Sequence, residues 1–326
     1  MALVARVLTW LLALGVAAWG GLALWIAGPG SPQVRAALIV LVLLGTVVAR
    51  IVLRSPLRAL FVSLVTLIAL LAWWGTLTPS SDRNWAPEVA RTPRIEVRGD
   101  ELVIHNLRTF DYRSETDFDP RYEDRTYDLS KLLGLDLFVC YWGSPAIAHT
   151  IMSWEFSEGP PLAISIETRK QRGQEYSAID GFFRQYTLIY VVADERDLIR
   201  LRTNYRGENV YLYRLAVPLA NARSLLMEYV QQINSLADTP QFYNALTENC
   251  TTAIRSNAEN AGGTVPWSWK LLLTGYVDKM LYERGRLRGG ALPFARLKAA
   301  SWIDDRAKAA DQDPEFSRRI REGLPE

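Results

Sequence analysis

Histidine and cysteine are scarce in this chain, with two of each in 326 residues. The sequence has no CxxC and no HxxxH, and each histidine stands alone in its own stretch, so no local zinc-type ligand set can be assembled. A G-x-S-x-G nucleophile elbow is also missing, which removes the commonest serine-hydrolase arrangement. No internal repeat and no low-complexity tract occurs. The first eighty residues contain no Asp, Glu, Lys or His; their only charges are Arg6, Arg35, Arg50, Arg54 and Arg58. All 35 acidic residues lie beyond that point, so the net charge of +2 is the sum of two unlike parts. The later part is mildly acidic and has no basic stripe, which argues against nucleic acid as a partner.

That first segment is strongly apolar. Residues 7–27 and 59–77 are uncharged runs, each long enough for a bilayer core that needs about 20 apolar residues. Between them, residues 36–53 form a third run with Arg50 near its end, where a long side chain can snorkel to the interface. The reading is a membrane anchor over residues 1–79 with three crossings. A cleaved signal peptide does not fit, because the first run is too long and two more follow it. Arg54 and Arg58, with Arg50 just before them, place the link between the second and third runs in the cytoplasm. The N-terminus is then cytoplasmic as well, and residues 80–326 form a periplasmic domain held at the inner membrane. Trp73 and Trp74 suit the aromatic belt at the exit of the third crossing.

Residues 78–92, "TPSSDRNWAPEVART", read as a short tether. "RIEVRGDELVIHNL" reads as a hairpin about Gly99-Asp100, and the charged, aromatic stretch from Arg108 to Leu132 as a loop. Strand-like runs follow at "LGLDLFVCYW", "AIAHTIMSWEF", "LAISIETRK", "YTLIYVVAD" and "GENVYLYRLAV". The period then turns helical in "PLANARSLLMEYVQQINSLAD", and the remainder to the end reads mostly as helix. Strands first and helices afterwards give an α+β class.

Cys250 lies in "TENCTTAIRSN", where a helix is expected to begin. A helix N-terminus stabilises a thiolate through its free N–H groups and dipole, so this is a place where a cysteine can be made nucleophilic. The plainer reading is a small buried residue near a helix start. A nucleophilic thiol also needs a base, and the choice is His105 or His149. His149 sits in an apolar strand, and in the neighbouring run Ser165 and Glu167 share one face, so either could orient its imidazole. Asn249, just before the cysteine, is a candidate oxyanion donor beside the Cys250 backbone N–H. Cys140, in "DLFVCYW", reads as structural, although a Cys140–Cys250 disulfide would be open to an extracytoplasmic protein. Arg184, Arg202 and Arg206 could meet a phosphate or could be scattered surface charges. The aromatics of "VPWSWKLLL" could enter a membrane interface or pack in the core.

Several motifs in order carry a resemblance: "IHNLRTFDYRSETDFDPRYEDRTYDLSKL", "YWGSPAIAHTIMSWEF", "SIETRKQRGQEYS", "FYNALTENCTTAI" and the closing "FSRRIREGLP". Together they resemble the Lnb N-terminal periplasmic domain family, from about Trp85 to the end. The resemblance implies a permuted papain-like domain, similar to NlpC-type thiol hydrolases, with the histidine strand first, a polar third residue next and the cysteine last. His149, then Glu167 or Ser165, then Cys250 match that order. It further implies a lipoprotein N-acyltransferase-like activity through a thioester on Cys250, with a membrane phospholipid as acyl donor, a lipoprotein as acceptor, and neither cofactor nor metal. Three crossings ahead of the domain depart from the family's pattern. Two other readings stay open: a cysteine peptidase or amidase acting on cell-wall peptide, and a non-catalytic periplasmic scaffold.

Overall fold

The computed structural model describes residues 2–53, 55–244 and 250–326. The chain divides into two compact units: Met1–Ser81 with Ser177–Tyr186, and Asp82–Tyr176 with Thr187–Glu326.

The first unit is built on α1 (Ala2–Ala27), α2 (Pro32–Val52) and α3 (Pro56–Gly75), each long and apolar enough to cross a membrane. Both α2 and α3 open on proline, whose missing N–H is unneeded in a first turn, so each starts a turn before its apolar run. In α2 the Ser31 hydroxyl accepts the Val34 N–H as a cap. Small residues are buried where the helices meet, among them Ala13, Ala17 and Ala59, and they permit close backbone approach. The arginines settle at helix ends. Arg50 donates to the Arg6 carbonyl at 3.3 Å and the Thr9 hydroxyl at 3.1 Å, over the Trp10 ring. Arg35 donates at the other end of α1, to the Trp25 carbonyl. The short α4 (Ala178–Phe182) and the residues after it complete this unit. Phe183 meets the edge of Trp74 with ring centres 6.1 Å apart, and Arg184 donates to the Trp74 carbonyl at 2.6 Å.

The second unit is a twisted sheet with helices on both faces. Its strands are β1 (Arg94–Arg98), β2 (Glu101–Arg108), β3 (Asp111–Tyr112), β4 (Phe118–Asp119), β5 (Tyr122–Asp128), β6 (Leu132–Tyr141), β7 (Ala148–Phe156), β8 (Leu162–Arg169), β9 (Thr187–Asp194) and β10 (Asn209–Arg214). The main sheet runs β1-β2-β9-β8-β7-β6-β10, with β5 also on β2, while β3 and β4 pair separately. All main-sheet pairs are antiparallel except β2 with β9. One face carries Cys140, Ile151, Ala163, Val191 and Val210. It packs on α5 (Glu195–Arg200) and, across the fold, on two C-terminal helices described below. The opposite face is covered by α6 (Leu219–Asp238) and α7 (Cys250–Asn260). There Trp154 donates to the Ala222 carbonyl at 2.9 Å and meets the edge of the Tyr229 ring.

Two segments are more structured than expected. The stretch from Arg108 to Leu132 contains the β3–β4 hairpin and β5. Strand β5 sits beside β2 with its charged residues largely outward and Tyr127 inward, so its sequence shows little apolar alternation. Phe110 and Tyr112 form a small core with Leu201. In the expected tether, Trp85, Ala86 and Val89 are buried, with the Arg169 guanidinium 4.4 Å from the Trp85 ring centre.

The tail after α7 is a series of short helices: α8 (Val277–Glu283), α9 (Phe294–Ser301), α10 (Asp304–Ala309) and α11 (Phe316–Arg319). Ile303, Ala307, Phe316 and Ile320 join the core under β6, β7 and β10. Just past α11, Arg321 enters the same face and donates to Asp136 Oδ2 at 2.7 Å and Glu195 Oε1 at 2.6 Å, both carboxylates being fully buried. The architecture is a mixed α+β chain with three N-terminal apolar helices.

Candidate active site

Strands β7 and β8 pair only from Ile151–Ser165 to Trp154–Leu162. Beyond Ile151, toward the start of β7, the ladder stops although both strands continue. His149 lies in this parted region. Continuing the register sets Glu167 opposite it, and Ser165 is one step back on the same face, because side chains on a strand alternate.

The three groups are hydrogen-bonded. His149 Nε2 lies 2.7 Å from Ser165 Oγ and 3.2 Å from Glu167 Oε1. The Ser165 hydroxyl donates to the same Glu167 oxygen at 2.6 Å, so it accepts from the imidazole. That arrangement fixes the proton on Nε2 and leaves Nδ1 as the basic nitrogen.

Cys250 is the first residue of α7, with Thr251 Oγ1 3.9 Å from its sulfur, and it interacts electrostatically with His149. Both residues are buried, at 7% and 8% exposure for Cys250 and His149. Burial pushes the Cys250 thiol up, but the charge and hydrogen bond of His149, with hydrogen bonds from Thr150, outweigh it and bring it down to about 7. For His149, burial pulls the imidazolium down; the Glu167 carboxylate and the Cys250 sulfur prevail over burial and Arg202, raising it to about 9. Between these values the favoured state is a thiolate beside an imidazolium.

Behind Glu167 stands a residue that sequence reasoning left among scattered arginines. Arg202, 5% exposed, donates to Glu167 Oε1 at 2.8 Å and to both Glu208 oxygens at 3.2 Å. Burial acts to raise the Glu167 carboxyl, but the His149 and Arg202 charges hold it well below the usual carboxylate range. No local pattern marks Arg202, because its partners lie 35 residues before and six after it. Of the three arginines weighed as a phosphate site, Arg202 and Arg206 share the Glu208 carboxylate, at 3.2 and 3.8 Å. Arg184 belongs to the helical unit, and Arg206 pairs with Glu115 at 2.9 Å.

Other candidates fall elsewhere. His105 lies on the β1–β2–β5 surface between Asp124 and Glu96, at 2.6 and 3.2 Å. Asn249 lies outside the described residues. Cys140 and Cys250 are both free thiols. Cys140 is the ladder partner of His149 across β6 and β7, yet burial pushes its thiol well above the ordinary cysteine value. The two cysteines are thus set in opposite directions by their surroundings.

A cavity of about 180 Å³ lies between the sheet and α6, α7 and α8. Its walls include Leu137, Met152, Leu225, Ile254, Val277 and Met280. Thr150 and Thr251 also line it, and Thr251 Oγ1 lies 3.9 Å from the Cys250 sulfur. Exposed Arg286 contributes to the lining as well. An apolar chamber therefore lies along the first turns of α7, which Cys250 begins.

The family model of the Lnb N-terminal periplasmic domain matches residues 118–275. The chain is similar to that family over this stretch, which contains His149, Ser165, Glu167, Arg202 and Cys250. The motif "FSRRIREGLP" lies beyond it. No curated protein and no solved structure matches the chain. The family domain and the three apolar helices fit a membrane-anchored protein with a periplasmic domain.

Proposed function

We propose that the protein is a membrane-anchored thiol acyltransferase that moves a fatty acyl chain from a phospholipid to an amine by way of a thioester on Cys250. The observation that carries this reading is the apolar cavity whose wall residue Thr251 lies 3.9 Å from the Cys250 sulfur. A peptidase acting on cell-wall peptide calls for an open polar groove there. At about 150 Å³ an apolar cavity already stays dry and accepts an apolar guest, and this one exceeds that size. The order of histidine strand, polar third group and cysteine at a helix start supports a permuted papain-like, NlpC-type domain.

In the mechanism, the Cys250 proton moves to His149 Nδ1 and the sulfur attacks the carbonyl carbon of a lipid ester. The ester C–O bond breaks, His149 returns its proton to the leaving oxygen, and a lysolipid departs. The acceptor amine then attacks the thioester carbon and gives a proton to His149. The C–S bond breaks, restoring thiolate and imidazolium. Oxyanion stabilisation falls to the Cys250 backbone N–H at the start of α7. Ser165 and Glu167 hold the imidazole in the tautomer this requires.

The location follows the charge asymmetry of the anchor. Arg6, Arg50 and Arg58 sit near the start of α1, the end of α2 and the start of α3, so these ends are cytoplasmic and the catalytic domain periplasmic. The acceptor is a lipoprotein with a free N-terminal amine. The test is a deletion strain complemented with the wild-type chain or with Cys250→Ser. Mass spectrometry of lipoprotein N-termini is expected to show acylation restored by the wild type alone. Unchanged acylation in the deletion strain defeats the reading, and altered cell-wall fragments in its place favour the peptidase.

A further inference from the structure

The segment that closes one side of the cavity has a second face. Leu271 is buried and lines the cavity together with Val265. Around them, Trp267, Trp269, Leu272 and Leu273 are exposed, Trp267 to 66%. The turn between β6 and β7 is fastened to this segment. The Gly275 N–H donates to the Ala146 carbonyl at 3.0 Å, the Ala148 N–H donates to Thr274 Oγ1 at 2.9 Å, and the Tyr141 hydroxyl donates to the Gly275 carbonyl at 2.8 Å. The approach is so close that a Cβ on Gly275 would come within 2.2 Å of the Pro145 carbonyl oxygen. That turn brings Trp142 and Ile147, also exposed, at 44% and 49%. Large apolar side chains thus gather about the β6–β7 turn, where Ile147 lies two residues before His149 in the chain.

We propose that this surface docks on the bilayer that the chain's own helices cross, and that it admits lipid chains to the cavity behind it. Three features of the molecule select a lipid surface over another protein. Only residues 76–81 separate α3 from Asp82, where the sheet unit begins. The tether is therefore no longer than about 25 Å, at about 3.5 Å per extended residue. The composition is that of an interfacial anchor, with tryptophan beside leucine. A basic flank completes it: Arg284 donates to the Pro266 carbonyl at 3.0 Å, and exposed Arg286 lines the cavity. Cations so placed meet lipid phosphates while the apolar side chains enter the headgroup region. The same short segment has one side in the cavity wall and the other on the docking face. An acyl chain leaving the bilayer then has a continuous apolar route.

This inference goes beyond the catalytic reading and does not require Cys250 to react. Its test uses the full chain in vesicles of phosphatidylethanolamine and phosphatidylglycerol. An environment-sensitive fluorophore is attached at Leu272→Cys, or at Trp267→Cys as a second position. For comparison it is attached at Glu158→Cys, past the opposite end of β7. Buried Cys140 and Cys250 are spared by a bulky polar maleimide, which the unsubstituted chain verifies. The label at 272 is expected to emit further to the blue than that at 158, to be quenched by lipids spin-labelled on the acyl chain, and to be shielded from iodide. Equal quenching by iodide at 272 and 158 overturns the proposal. Shielding without quenching by the spin-labelled lipids overturns it too, because a second copy or another protein then covers the face. Repeating the measurement with Cys250→Ser keeps the two claims separate: the docking signal is expected to be unchanged when the thiol is lost.

Discussion

His149 and Glu167 face one another where β7 and β8 part, with Nε2 3.2 Å from Oε1 and the Ser165 hydroxyl bonded to both. Of the groups that raise the His149 imidazole against burial, Glu167 is the largest. Cys250 is lowered chiefly by His149. Activity through an ion pair should therefore be bell-shaped in pH. It is lost below about 7 as the thiolate takes a proton, and above about 9 as the imidazolium gives one up.

Replacing Glu167 by Gln removes the charge that supports the imidazolium. The alkaline limb should fall and, with the ion pair weakened, the acid limb should rise, so the bell narrows from both sides. Rate against pH, wild type beside Glu167→Gln, checks this. Unmoved limbs would mean that Glu167 does not set the charge of the pair.

Arg202 is a positioning residue, acting through Glu167. Arg202→Met leaves Glu167 and Glu208 without their shared cation, and breaking a buried pair of this kind costs about 3–5 kcal/mol. Lower thermal stability is expected together with a changed pH profile, and Arg202→Lys should restore part of both. A stability loss with an unaltered profile would reduce Arg202 to a structural role.

The cavity makes a prediction about chain length. Ile254→Trp fills it from α7 without touching His149 or Glu167. Turnover of long-chain esters should fall by at least about tenfold, equivalent to about 1.4 kcal/mol of transition-state stabilisation. Short-chain ester turnover should be kept. Equal loss for both would place the acyl chain elsewhere.

Much of the site is legible in the sequence because scarcity limits the choice. With two histidines and two cysteines, one pairing suits a strand followed by a helix start, and the alternation in "LAISIETRK" sets Ser165 and Glu167 on one face. The three apolar helices are as plain, since only composition is needed to see them. Arg202 and Thr150 were not legible. Arg202 gains its role from a sheet that brings residues 167, 202 and 208 together, and Thr150 from the ending of the β7–β8 ladder beside it. Strand β5 was hidden by its charges, which an edge position allows to face water. The place of Phe183 and Arg184 beside Trp74 depends on contacts more than 100 residues apart in the chain.

The motif "FSRRIREGLP" has a structural reason. Its Arg321 joins Asp136 of β6 to Glu195 of α5, and Ser153 donates to the same carboxylate at 2.6 Å. Arg321→Met should destabilise the domain by about 3–5 kcal/mol, as for other broken buried pairs, a large part of the 5–15 kcal/mol typical of a domain. Chemical denaturation of the full chain measures it, and a shift under about 1 kcal/mol would count against a buried network.

The most direct test of the account is to trap the acyl-enzyme. The full chain is incubated in vesicles containing phospholipid but no amine acceptor, then digested and weighed. A fatty acyl mass on the peptide bearing Cys250 is expected, released by neutral hydroxylamine and absent from Cys250→Ser. Acyl transfer by a folded Cys250→Ser chain at the wild-type rate would contradict the account.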